Sequence, residues 1–135
     1  MSVGTFDPKQ MAAEPQAIDE ALLQLAVAAA HRQAADAVKL TLSDDEVMQL
    51  QPLLTHPGWR AAAPATSPTD LVPLIRLFTL GEGQYSSWQA GAKSPVVALV
   101  RALKKNGCMT AELTGWIKQN TDNRYLPHGD LMDRL

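Results

Sequence analysis

The chain of 135 residues contains few side chains that are suited to catalysis. It has one cysteine, Cys108, and three histidines, His31, His56 and His128. A cysteine beside a histidine can act as a nucleophile, and nothing in the spacing rules out such a pair. Cys108, however, falls in a short turn between two predicted helices, where a small packed residue is the simpler interpretation. An enzyme that uses Cys108 or His128 is therefore the third and least favoured functional hypothesis.

Metal, phosphate and cofactor sites are disfavoured by the spacing of the residues that would form them. The histidines are scattered, and none has a histidine or carboxylate partner at helical spacing. The segment Gly91–Ser94 resembles the end of a phosphate loop, but Ala92 separates the glycine from Lys93, and Ser86 stands where an earlier glycine is required. We expect Ser94 to cap a helix, with a weak anion site beside Lys93 as the alternative. The sequence predicts no metal and no cofactor.

Residues 96–120 have the outline of a helix-turn-helix, a DNA-binding motif. Gly107 occupies the turn, and Leu113 and Trp116 occupy positions where apolar residues are required. Asn106 falls where an apolar residue is normally buried, which counts against the match. Polar side chains of the second helix and nearby cations would contact bases and phosphates. The residues assigned to this alternative nucleic-acid surface are Lys104, Lys105, Thr114, Lys118, Gln119 and Arg124.

Aromatic and basic side chains cluster in two loops that flank this helical pair. Such side chains are favoured anchors of protein interfaces, and loops often carry recognition. The favoured hypothesis is a non-enzymatic binding or regulatory protein whose surface combines the Glu82–Lys93 bridge with the Asn120–His128 segment. Its partner would be another protein, a second copy of this chain included, as a homodimer. The residues assigned to this surface are Tyr85, Trp88, Lys93, Arg124, Tyr125 and His128.

The charge is distributed unevenly along the chain. Residues 1–92 carry five Lys/Arg and ten Asp/Glu, whereas residues 93–135 carry seven and four, within a net charge of −2. This balance excludes a uniformly basic nucleic-acid binder but leaves room for a local basic patch. The single cysteine excludes an internal disulfide and suits a reducing compartment. With no apolar run of membrane-spanning length and no signal-peptide pattern, we expect a cytoplasmic protein without a membrane partner.

The elements that position these residues are predicted to be helices, in an all-α, single-domain bundle of five or six short helices. Residues 1–16, which are polar, are interpreted as a flexible tail, and residues 17–135 as one helical domain. Apolar residues recur at helical spacing from Ala17 to about Ala37. Lys39–Leu42 is the one candidate strand, and a lone strand has no partner.

Cap residues and breakers set the remaining helix boundaries. The predicted N-caps are Ser43 (with Glu46 completing a capping box), Asp70, Ser94 (with Pro95 following) and Thr110. The predicted ends are Gln51 before Pro52, Gly81 as a C′ glycine, and Gly107. We expect Trp59 to anchor its loop to the core. The last two helices form a C-terminal hairpin, followed by an extended Tyr125–Pro127 and a docked apolar turn at Leu131 and Leu135.

Overall fold

The computed structural model describes residues 17–34, 36–123 and 125–127, and over these residues it is helical and contains no strand. The predicted all-α class is confirmed. The predicted tail over residues 1–16 and the apolar turn at Leu131 and Leu135 lie outside the described residues. The α-helices of the described part are α1 (Glu20–Arg32), α2 (Asp44–Leu50), α3 (Trp59–Ala62), α4 (Pro68–Gln84), α5 (Pro95–Lys105) and α6 (Ala111–Asn120), with 3₁₀ turns at Gln51–Leu53, Ser86–Trp88 and Gly91–Lys93.

Local capping explains where α2, α5 and α6 begin. Ser43 accepts a hydrogen bond from the Glu46 amide at 3.2 Å, and the Glu46 carboxylate accepts one from the Ser43 amide at 3.1 Å. The Ser94 and Thr110 side chains likewise accept hydrogen bonds from the first-turn amides of α5 and α6. These side chains satisfy donors that a helix start leaves unpaired. The capping box and both later caps are as predicted.

Helix α1 is shorter than predicted. Asp19 caps it, and it ends at Arg32 rather than near Ala37. Beyond this end the Gln33 side chain donates to the Ala29 carbonyl at 3.0 Å and accepts from the Thr41 amide at 3.0 Å. The chain can therefore leave the helix with its polar groups satisfied. The buried residues of α1 are three alanines, Ala26, Ala29 and Ala30. They lie in the core that α1 shares with α4.

Helix α4 differs from the prediction at both ends. It begins after Ser67 with Pro68 in its first turn, three residues before the predicted first turn at Leu71, and it runs through Gly81 to Gln84. Gly81 is not a C′ glycine. A Cβ atom placed on it would lie 2.2 Å from Cε3 of Trp88, so the missing side chain is required by close packing of the indole ring.

Helix α4 is also the centre of the core. Nine of its 17 residues are buried, and it packs against α1, α5 and α6. The ring of Phe78 meets Trp59 edge-on at 5.6 Å and lies 5.9 Å from Trp88. Such edge contacts between aromatic rings add to the stability gained from burial. Trp59 also donates its indole N–H to the Leu53 carbonyl at 2.8 Å, which confirms its predicted role as a loop anchor.

The connecting segment at Leu40 is bound by a side chain of α4. The Leu40 amide donates to Oε1 of Gln84 at 2.8 Å, and Nε2 of Gln84 donates to the Leu40 carbonyl at 3.1 Å. The segment that resembled a strand is therefore paired with a side-chain amide instead of a second strand.

Tyr125–Pro127 forms a turn rather than the predicted extended segment, and Leu126 is buried in the core. No helix in the described ranges has the length and apolar character needed to cross a bilayer.

Candidate binding site around Glu82

Glu82 is a buried carboxylate in the last turn of α4. Its residue exposure is 4%, and it directly follows the buried run Leu77–Gly81. It lies four residues after Phe78 and seven after Ile75, so the helical repeat places it on the same buried face. The sequence thus directs a charged side chain toward the interior.

The Glu82 carboxylate accepts hydrogen bonds from three different segments. Oε2 accepts from the Ser94 hydroxyl, and Oε1 accepts from the Ala90 amide at 3.3 Å and from Nδ2 of Asn123 at 3.3 Å. All three donors are neutral. Burial is the main cause that raises the pKa of Glu82, and the hydrogen bonds from Ser94, Asn123 and Ala90 oppose it.

Asn123 connects the two loops that the sequence analysis assigned to one surface. In addition to Glu82, its Nδ2 donates to the Gly91 carbonyl at 2.9 Å. Its Oδ1 accepts from the Tyr125 amide at 3.0 Å, and its own amide donates to the Thr121 hydroxyl at 3.0 Å. These bonds fix the asparagine relative to both loops. Gly91 adopts φ +58°, a left-handed conformation that favours glycine and turns the chain at this point.

A pocket of about 350 Å³ lies where these segments meet. Such a volume is at the lower end of the range for small-ligand sites, and it suits a group the size of an amino-acid side chain. Among the described residues that line it are two carboxylates and no lysine or arginine. Its lining residues are Glu82, Gly83, Gln89, Ala90, Gly91, Thr121, Asp122 and Asn123.

The residues predicted to contact a partner lie in three different settings. Lys93 is exposed, and Tyr85 and Tyr125 are half-buried. The Tyr85 ring lies 5.3 Å from that of Trp88, and its hydroxyl accepts from Nε2 of Gln84 at 3.0 Å. Arg124 and His128 lie outside the described residues. Tyr85, Lys93 and Tyr125 therefore remain available at the surface to different degrees.

Trp88 requires a correction. Its ring is fully buried, and its indole N–H donates to the Val47 carbonyl at 3.0 Å. Burial excludes it as a partner-binding residue, and its packing in the cleft above Gly81 instead fixes the loop that leads to the pocket. An aromatic residue in a glycine-rich loop is a signal for either role, and only the tertiary packing distinguishes them.

The described residues assigned to the nucleic-acid alternative are on α5 and α6. Lys104, Lys105, Lys118 and Gln119 are exposed, whereas Arg124 is not among the described residues. The Thr114 hydroxyl donates to the Thr110 carbonyl at 3.1 Å, within its own helix. Asn106 is exposed where a helix-turn-helix buries an apolar residue. The exposure of Asn106 therefore departs from a helix-turn-helix at the same position where the sequence departs from it.

The weaker chemical hypotheses find little support in the described residues. The Ser94 hydroxyl accepts from the Val96 amide at 3.2 Å and donates to Glu82, so a carboxylate already occupies the start of α5 where an anion would bind. Cys108 is exposed and does not line the pocket around Glu82. His31 contacts Asp70 at 2.8 Å. Over the described ranges, no three His, Cys, Asp or Glu residues come together as a metal site.

Comparison with protein-family models, with curated proteins and with solved structures found no match to this chain. The function is therefore inferred from the structure of this chain itself. Sequence reasoning missed Glu82 itself, and the available signal was its helical register with Phe78 and Ile75.

Proposed function

We propose that the protein is a non-enzymatic binding or regulatory protein that contacts another protein through the Glu82 pocket and its rim. The observation that carries this proposal is the meeting of the Glu82–Lys93 bridge with the segment after α6. Nδ2 of Asn123 donates to both Glu82 and the Gly91 carbonyl, and the pocket opens beside this junction. The prediction of a cytoplasmic location belongs to the same proposal.

The site suits binding more than catalysis. A buried carboxylate with a raised pKa is common at functional sites, including catalytic ones. The Thr121 hydroxyl and the exposed Asp122 also line the pocket, but the described hydrogen bonds of Glu82 go to Ser94, Ala90 and Asn123, and none of them joins Glu82 to either group as a catalytic pair would require. Rigid loops that present hydrogen-bonding groups around a small cavity are typical of recognition.

Reversal of charge at the rim tests the proposal. Asp122→Lys changes an exposed, pocket-lining carboxylate, and Asp36→Lys makes the same change in an exposed turn that does not line this pocket. We expect Asp122→Lys to reduce capture of specific partners from the native host about tenfold or more relative to Asp36→Lys, which corresponds to at least ~1.4 kcal/mol. Quantitative mass spectrometry of the captured proteins measures the ratio. Equal capture by the two variants would remove the support for this surface.

Nucleic-acid binding is the second proposal, and the exposure of Lys104, Lys105 and Lys118 favours it. Contacts with phosphates weaken steeply as salt rises. A gel shift of mixed DNA and RNA that is present at low salt and lost at high salt would support this function. No shift at low salt would end it.

A further inference from the structure

We propose that the Glu82 pocket is a receptor for a cationic side chain, an arginine guanidinium presented by the protein partner. This inference rests on the proposed function and specifies the chemistry that the partner must present. It follows from the composition of the pocket, from the hydrogen-bonding capacity of the carboxylate and from the depth at which that carboxylate lies.

The composition of the pocket favours a cation that donates hydrogen bonds. The lining residues that the structure describes include the acidic Glu82 and Asp122 and the polar Gln89 and Thr121, and no lysine or arginine is among them. A buried carboxylate is costly unless it is paired or hydrogen-bonded. The three donors described for Glu82 are neutral, so no opposite charge faces it from the described lining residues.

The carboxylate also retains hydrogen-bonding capacity. A carboxylate offers about four acceptor sites, and the described contacts of Glu82 occupy three of them. One further donor can therefore bind without displacing Ser94, Ala90 or Asn123. Asp122 is exposed and also lines the pocket, so it provides a second carboxylate for the same cation.

A guanidinium fits this arrangement better than an ammonium. It is planar, carries five donors and is less strongly hydrated, so it loses less on entering a partly buried site. The volume of about 350 Å³ accommodates one such side chain with residual water. We therefore assign the deep part of the pocket to an arginine head group and the exposed rim to the rest of the partner.

Titration of the full chain with ethylguanidinium tests the inference. We expect saturable shifts of the amide NMR signals of Ala90, Gly91 and Asn123. Ethylurea, a neutral probe of similar shape, should not produce them, and ethylammonium should bind more weakly. Glu82→Gln should weaken the binding of ethylguanidinium about tenfold or more, because a charge-assisted hydrogen bond is lost. The matched control, Asp36→Asn, removes one exposed negative charge that does not line this pocket and should leave the affinity unchanged.

A second measurement uses the wild-type chain and does not depend on the folding of the Glu82 variant. A cation that binds the ionised carboxylate lowers its pKa, so ethylguanidinium should move the titration of the Glu82 carboxyl ¹³C signal to lower pH. Absence of saturation, equal binding of ethylurea, or an unmoved carboxyl titration would overturn the inference.

The two proposals can fail separately. If Asp122→Lys abolishes partner capture but ethylguanidinium does not bind, the surface is correct and the cationic ligand is wrong. If ethylguanidinium binds Glu82 but capture is the same for Asp122→Lys and Asp36→Lys, the pocket is a cation site and the proposed protein interface is wrong.

Discussion

Replacement of Gly81 by alanine should destabilise the protein, although alanine is the better helix former. The new Cβ would lie 2.2 Å from Cε3 of Trp88, well inside the usual carbon–carbon contact of about 3.5–4.0 Å. The ring cannot retreat without loss of its hydrogen bond to the Val47 carbonyl and its contact with Phe78. Over-packing costs about 1–3 kcal/mol, and so severe an overlap belongs at the upper end. The helix-propensity gain of about 1 kcal/mol leaves a net loss of about 2 kcal/mol.

Gly83 provides a matched control two residues further along α4. A Cβ atom on Gly83 would meet no atom within 4 Å, so Gly83→Ala should stabilise the helix by about 0.5–1 kcal/mol. The two variants should therefore differ by about 3 kcal/mol in their free energy of unfolding. Urea unfolding followed by far-UV circular dichroism measures this difference, and the slope with urea should stay constant. Equal stability of Gly81→Ala and Gly83→Ala would contradict the packing of Trp88 against Gly81.

Two further predictions concern side chains that act locally. Ser43→Ala should lower the free energy of unfolding by about 1 kcal/mol, because it removes the N-cap of α2. The control, Ser87→Ala in an exposed turn, should change it little. Equal effects of the two substitutions in thermal unfolding would refute the capping role. Glu82→Gln should alter the pH dependence of stability. The pKa of Glu82 is raised in the folded state, so Glu82 stabilises the folded wild type below the unfolded pKa of 4.5. This contribution to the free energy of unfolding is lost as the pH rises through the folded pKa. The stability of Glu82→Gln relative to wild type should thus increase between about pH 4 and about pH 7 in urea unfolding, and a decrease would contradict the raised pKa.

The starts of α2, α5 and α6 were predictable because their causes are local. Ser43, Ser94 and Thr110 each accept a hydrogen bond from an amide two or three residues away, so residue type and spacing are sufficient to predict these caps. Pro52 likewise ends α2 at Leu50, and the chain continues in a 3₁₀ turn. These signals do not depend on the rest of the fold.

The cleft at Gly81 was not predictable from the sequence. A glycine near the end of an apolar run is typical of a helix end, and the same glycine also permits the close approach of a ring. Which of these two roles Gly81 has depends on Trp88, which is seven residues away and packs between α4 and the Val47 carbonyl of α2. Sequence reasoning therefore ended α4 too early and left Trp88 at the surface.

The site was predictable only in part. The bridge that begins at Glu82 and the segment that follows α6 were assigned to one surface, and the structure brings them into contact through Asn123 and Gly91. The side chains chosen for that surface were aromatic and basic, whereas the pocket is lined by carboxylates, amides and backbone. Composition identifies the residue types that favour interfaces, but the residues that line a cavity depend on how the loops cross.

Photo-cross-linking from the pocket in the native host tests the proposed interface directly. A photoreactive amino acid would replace Gln89, which is exposed and lines the pocket, or Gln24, which is exposed on α1 and does not. We predict that position 89 forms a discrete covalent adduct with a protein, a second copy of this chain included, and that position 24 does not. Adducts of equal yield and identity at both positions, or none at position 89, would contradict the claim that the Glu82 pocket is where this protein meets its partner.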